Sequence, residues 1–107
     1  MDEAQERERI RSLVVDALRT VKDPEIPVNI YDLGLVYEID VQPMGVVGIR
    51  MTLTAPACPV ADSIVAEVQD KANAIPDVSG AYVELVWDPP WTQERMSEEA
   101  RLELNLL

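Results

Sequence analysis

A single cysteine, and no histidine anywhere, make Cys58 the one strong soft-metal ligand and the one thiol in this 107-residue chain. It sits in the run Thr54-Ala55-Pro56-Ala57-Cys58-Pro59-Val60. A strand-like segment ends just before this run and a helix-like one starts just after it. Prolines on both sides stiffen the turn and put the thiol at or beside a helix N-terminus. Unpaired N–H groups and the positive end of the helix dipole favour an anion there, and such positions lower a thiol's pKa toward the reactive thiolate. Three chemistries are open: metal ligation, nucleophilic attack, or service as a small buried hydrophobe. Nucleophilic cysteines normally draw on an adjacent base, most often histidine. Without one, peroxidase-like or transpersulfidase chemistry would rest on the helix dipole alone, so the chain does not read as an enzyme.

Other polar candidates flank the cysteine in sequence or in expected topology. Asp23 and Glu25 bracket Pro24, and Asp32 precedes Leu33-Gly34. Their ordinary use is turn hydrogen bonding to neighbouring backbone. Thr52 and Thr54 lead into the cysteine on the polar side of an alternating strand. A hydroxyl there can donate to a thiolate, or simply reflect strand propensity at a solvent-facing site.

The elements that would position these residues are legible. Ile10, Leu13, Val14, Ala17, Leu18 and Val21 form one stripe of an amphipathic helix over 3–21. Pro24 and Pro27 cannot continue it. Tyr37, Ile39 and Val41 alternate with Glu38 and Asp40, which predicts a half-buried strand. A turn at Gln42-Pro43-Met44-Gly45 joins it to a second strand whose apolar face is Val47, Ile49, Met51 and Leu53, giving an antiparallel hairpin. Ala61, Ile64, Val65, Val68 and Ala72 mark a second helix, with Pro59 suited to its first turn. Ala81 to Trp87 reads as a third strand with Val83, Leu85 and Trp87 on its core face. Residues 93–105 read as a last helix with Ser97 as a cap. The order α-β-β-α-β plus a short helix predicts a two-layer α+β domain over 1–107: a three-stranded mixed sheet with helices on one face.

Composition narrows the function classes. The formal charge of −11 argues against nucleic acid, whose phosphates need Lys/Arg clusters. The apolar runs are too short to span a membrane. The N-terminal Met1-Asp2-Glu3-Ala4-Gln5-Glu6 has no apolar region of a signal peptide, and the expected location is cytoplasmic. The acidic excess serves solubility or a basic partner.

Four segments in order carry a resemblance. Asp23-Pro24-Glu25, Asp32-Leu33-Gly34-Leu35-Val36, Thr54-Ala55-Pro56-Ala57-Cys58-Pro59 and Trp87-Asp88-Pro89-Pro90-Trp91-Thr92 resemble the small iron–sulfur maturation factors that include PaaD, SufT and the eukaryotic cytosolic iron–sulfur targeting factor. The last segment, with Glu94-Arg95-Met96-Ser97, looks most like the SufT branch. No cysteine follows Cys58, unlike the cysteine-rich C-terminal extension typical of PaaD. The resemblance implies an iron–sulfur assembly domain acting beside Suf scaffold and carrier proteins to load apoprotein clients, with Cys58 as the main functional residue.

On that footing the cofactor is an iron–sulfur cluster or iron, held transiently or shared between chains. Clusters usually take four cysteine ligands, so one thiolate implies ligands from a second chain or a partner, and a homodimer is expected. Asp32 and Glu25 are candidate oxygen ligands for iron or groups behind the thiolate, with Asp23 and Thr54 in support. Trp91 either packs the C-terminal helix down or anchors a partner. Leu102, Leu104, Leu106 and Leu107 cover the domain's own core or a second subunit. The rival reading is a metal-free adaptor that recruits clients or scaffolds through the acidic surface, Trp91 and the leucines.

Overall fold

The computed structural model describes residues 2–23, 26–54 and 59–104, with no side chain described for 59–62. Helix α1 spans Glu3–Leu18 and starts at a capping box. The Asp2 carboxylate accepts from the Gln5 amide at 2.8 Å, and the Gln5 side chain accepts from the Asp2 amide at 3.2 Å. Ile10, Val14 and Leu18 are its buried residues, as the stripe predicts. The helix nevertheless stops three residues before Val21. Thr20 Oγ1 donates to the Ala17 carbonyl at 2.6 Å and the Val21 amide donates to the Leu18 carbonyl at 3.1 Å, so local bonds take over the last carbonyls. Val21 is still fully buried. Lys22 then pairs antiparallel with Asn29, closing the loop between them.

Strand β1 (Val36–Val41) and strand β2 (Val46–Met51) form the expected antiparallel hairpin, with Ile39 opposite Ile49. Helix α2 (Pro59–Asn73) carries the chain over to β3 (Gly80–Leu85), which pairs parallel with β2. The sheet order β1-β2-β3 puts β2 in the centre and makes the sheet mixed. Pleating separates its faces. Ile39, Val47, Ile49 and Met51 join Leu18, Ile64 and Val68 in the core, while Glu38, Asp40, Arg50 and Glu84 are exposed. Fully burying a Leu or Ile contributes about 1.5–3 kcal/mol, so this one-sided core holds the two layers together. The fold is the expected two-layer α+β arrangement.

Two elements depart from the sequence pattern. The last helix is split into a 3₁₀ turn at Gln93–Arg95 and helix α3 at Glu98–Glu103, because Met96 and Ser97 are extended. Ser97 is the cap, its Oγ accepting from the Ala100 amide at 3.1 Å. Met96 and Ala100 are buried, whereas Leu102 is 66% exposed, and Leu106 and Leu107 lie outside the described residues. Trp87 is the second departure. It does not continue the core face of β3 but is 45% exposed, since the strand ends at Leu85. No helix among the described residues is long and apolar enough to cross a membrane.

Candidate functional site

The segment leading to Cys58 is fixed from both sides. β2 ends at Met51, and the Thr52 amide donates to the Leu35 carbonyl at 2.8 Å. This bond draws Thr52 and Leu53 into the interior. Thr54, half-buried, places its hydroxyl 3.5 Å from Asp23 Oδ2. Asp23 is only 5% exposed. Its other carboxylate oxygen accepts from the Ile26 amide at 3.1 Å, and its own amide donates to the Val28 carbonyl at 3.2 Å. A charge so deeply placed is tolerated only with hydrogen-bond partners. Asp23 and Thr54 therefore meet across 31 positions of sequence, at the last described residue before the cysteine turn. α2 resumes the described chain at Pro59, the residue after Cys58. Cys58 and Glu25 lie outside the described residues.

The strand alternation puts Thr52 on the solvent-facing side with Arg50. It is instead 1% exposed, and its Oγ1 is buried without a hydrogen-bond partner among the described residues. The alternation fails here because the chain has already left the sheet. An orphaned hydroxyl costs free energy, and periodicity alone gives no signal of it.

Asp32 is engaged elsewhere. Asn29 Nδ2 donates to Asp32 Oδ2 at 2.9 Å, the Asp32 amide donates back to Asn29 Oδ1 at 2.9 Å, and Arg19 Nε lies 3.7 Å from Asp32 Oδ1. The Asp32 carbonyl accepts from the Ser97 amide at 2.7 Å. This is the turn-forming use of the residue, and it ties the C-terminal segment to the turn before β1. Trp91 makes a second tie. Its indole Nε1 donates to the Leu33 carbonyl at 2.6 Å and its half-buried ring packs on the core. Gly34 turns the chain in this region. Its φ of +80° suits glycine, and a Cβ there would meet the Arg95 carbonyl oxygen at 2.1 Å. Among the described residues no three of His, Cys, Asp and Glu converge as a metal site.

Sequence reasoning missed one cluster. Arg11 from α1, Arg19 at its C-terminal cap and Arg95 from the 3₁₀ turn line a cleft with Tyr31, Asp32 and Tyr37. Arg19 lies over the Tyr31 ring, 5.1 Å from its centroid, and Arg95 over Tyr37 at 4.5 Å. The available signal was the spacing of Arg7, Arg11 and Arg19 at multiples of four on one helix, in a chain otherwise dominated by acids.

Known proteins share both the fold and the sequence. The profile of the family described as "Iron-sulfur cluster assembly protein" matches residues 11–85. An Fe-S protein maturation auxiliary factor of Porphyromonas gingivalis is 52% identical over 94 residues, covering 88% of this chain and 90% of that protein. The Fe-S protein maturation auxiliary factor SufT of Staphylococcus aureus is 40% identical over 86 residues, 80% of this chain and 98% of that one. A crystal structure of a domain of unknown function from Bacillus anthracis superposes with a TM-score of 0.89 at 36% identity, covering 98% of this chain and all of that one.

Proposed function

The chain belongs to the iron–sulfur cluster assembly protein family, and we propose on that premise that it matures iron–sulfur proteins, accepting or passing on a cluster as cargo through Cys58. The observation that carries the reading is the match to maturation factors over most of both chains, which spans the one residue in this sequence able to give a thiolate. The Asp23–Thr54 contact supports it by anchoring the approach to that residue from a buried position. Asp23 and Thr54 tie the end of the segment that leads to Cys58 to the loop after α1. Asp32, already engaged by Asn29 and Arg19, shapes the neighbouring turn, and Glu25 stays a candidate oxygen ligand.

One thiolate satisfies one of the usual four ligand positions of a cluster. The cargo is then shared, with a second copy of this chain or with Suf scaffold, carrier and client proteins supplying the remaining ligands. The protein acts as a delivery factor and not as an enzyme, and it works in the cytoplasm. Anaerobic incubation with ferric iron, sulfide and a thiol reductant tests this. Wild type should develop a visible sulfur-to-iron charge-transfer band, in a species containing two chains, and Cys58→Ser should stay colourless. Equal colour in the variant would remove Cys58 from the cargo site.

A further inference from the structure

We propose that the arginine cleft between α1, the turn before β1 and the 3₁₀ turn at Gln93–Arg95 binds an acidic segment of a protein partner. Three guanidinium groups, from Arg11, Arg19 and Arg95, face two carboxylates, Asp32 and Glu38, in a cleft of about 300 Å³. It is a positively charged site in a chain of net charge −11. Local charge of this sign selects an anionic occupant, and the surrounding excess of acid repels every misplaced one.

The arginines are pre-set for this work. The Arg19 and Arg95 guanidinium carbons lie over the Tyr31 and Tyr37 rings. A guanidinium attracted to a ring face is held without using its N–H donors, which can then make two-pronged bonds to carboxylate. Arg11 is steadied by one bond, from Nη1 to the Ile39 carbonyl at 2.7 Å, and keeps its other donors. Arg19 is 3.7 Å from Asp32, beyond a good hydrogen bond, and its side chain is 50% exposed. The walls are braced: the Tyr37 hydroxyl donates to the Pro89 carbonyl at 2.8 Å, and Ser97 is bonded to Asp32 at 2.7 Å. Arginines held in advance lose less side-chain entropy on binding. Several guanidinium groups spread along an open cleft suit successive carboxylates of an extended segment better than one compact anion.

This inference rests on the maturation-factor reading only in supposing protein partners, and its test does not involve the cargo. The probe is a blocked hexa-glutamate peptide titrated into ¹⁵N-labelled protein at low salt. The Arg19 and Arg95 side-chain signals and the Tyr31 and Tyr37 amides should shift and saturate. Arg19→Gln and Arg95→Gln, each checked for an unchanged melting temperature, should weaken binding by about fivefold or more. Arg50→Gln on the open sheet face should change nothing, and Cys58→Ser should bind as wild type does. The proposal falls if the peptide does not bind, or if its shifts map outside the cleft. It also falls if inorganic phosphate saturates the same signals at equal concentration, or if the cleft signals follow protein concentration, which would make the occupant a second copy. Peptide binding without Cys58-dependent cluster uptake would overturn the function above and leave the cleft standing. The reverse result would remove the cleft alone.

Discussion

The two ends of the β1–β2 hairpin follow opposite rules. At the tip, Pro43-Met44-Gly45 turns the chain with Met44 at φ +66° and Gly45 at φ +81°, and Met44 is 92% exposed. Its carbonyls are met from the segment between α2 and β3, Ser79 Oγ donating to the Met44 carbonyl and the Ser79 amide to the Gly45 carbonyl. At the open end, polar side chains turn inward: buried Asp23 with half-buried Thr54, and buried Thr52 with no partner among the described residues. The tip stays exposed, and Ser79 meets its carbonyls. The open end accepts buried polarity that a purely structural turn would avoid, and it adjoins the cysteine turn. Natural sequences break local rules mainly where function asks for it.

Substitutions at the two ends test this contrast. The largest effect is expected for Gly34→Ala, beside the open end. It adds a Cβ against the Arg95 backbone at a positive φ, and denaturant unfolding should show a loss of about 2–4 kcal/mol. A change under about 0.5 kcal/mol would mean that this turn is loose. Thr52→Val is next. It keeps the shape and removes a hydroxyl that has no partner among the described residues, so denaturant unfolding should show stability rising by up to about 1 kcal/mol. At the tip, Met44→Gly relieves a left-handed residue and should stabilise by about 0.5–1 kcal/mol while leaving transfer unchanged.

The smallest effect belongs to the Arg9–Asp77 ion pair, 2.7 Å long, between α1 and the loop after α2. The Arg9 guanidinium, hydrogen-bonded to it, holds the Asp77 carboxyl below its ordinary value of 3.8. A folded-state pKa lowered in this way contributes stability above the ordinary value, which is lost as pH falls through the lowered one. Both groups are exposed, so Asp77→Asn should flatten acid melting curves only slightly.

Much of this was legible from periodicity. The α1 stripe, the hairpin alternation and the α2 stripe reflect burial on one face, which sequence spacing records directly. Trp87 misled because alternation says nothing of where a strand loses its cover, and β3 ends at Leu85. Thr52 misled for the same reason at the end of β2. Asp23 and Thr54 were singled out as supporting residues, but their contact is a tertiary event set by the Lys22–Asn29 bridge and the Thr52–Leu35 bond. The arginine cleft is also tertiary, assembled from three separate stretches, and no single stretch of sequence announces it.

The most direct measurement is the rate at which reconstituted protein passes its cluster to an apo-acceptor, with Asp23→Asn and Met44→Gly compared side by side and Cys58→Ser as reference. The account predicts that Cys58→Ser abolishes transfer, that Asp23→Asn slows it by about tenfold at an unchanged fold, and that Met44→Gly matches wild type. Transfer at the wild-type rate by folded Asp23→Asn and Cys58→Ser proteins would contradict it.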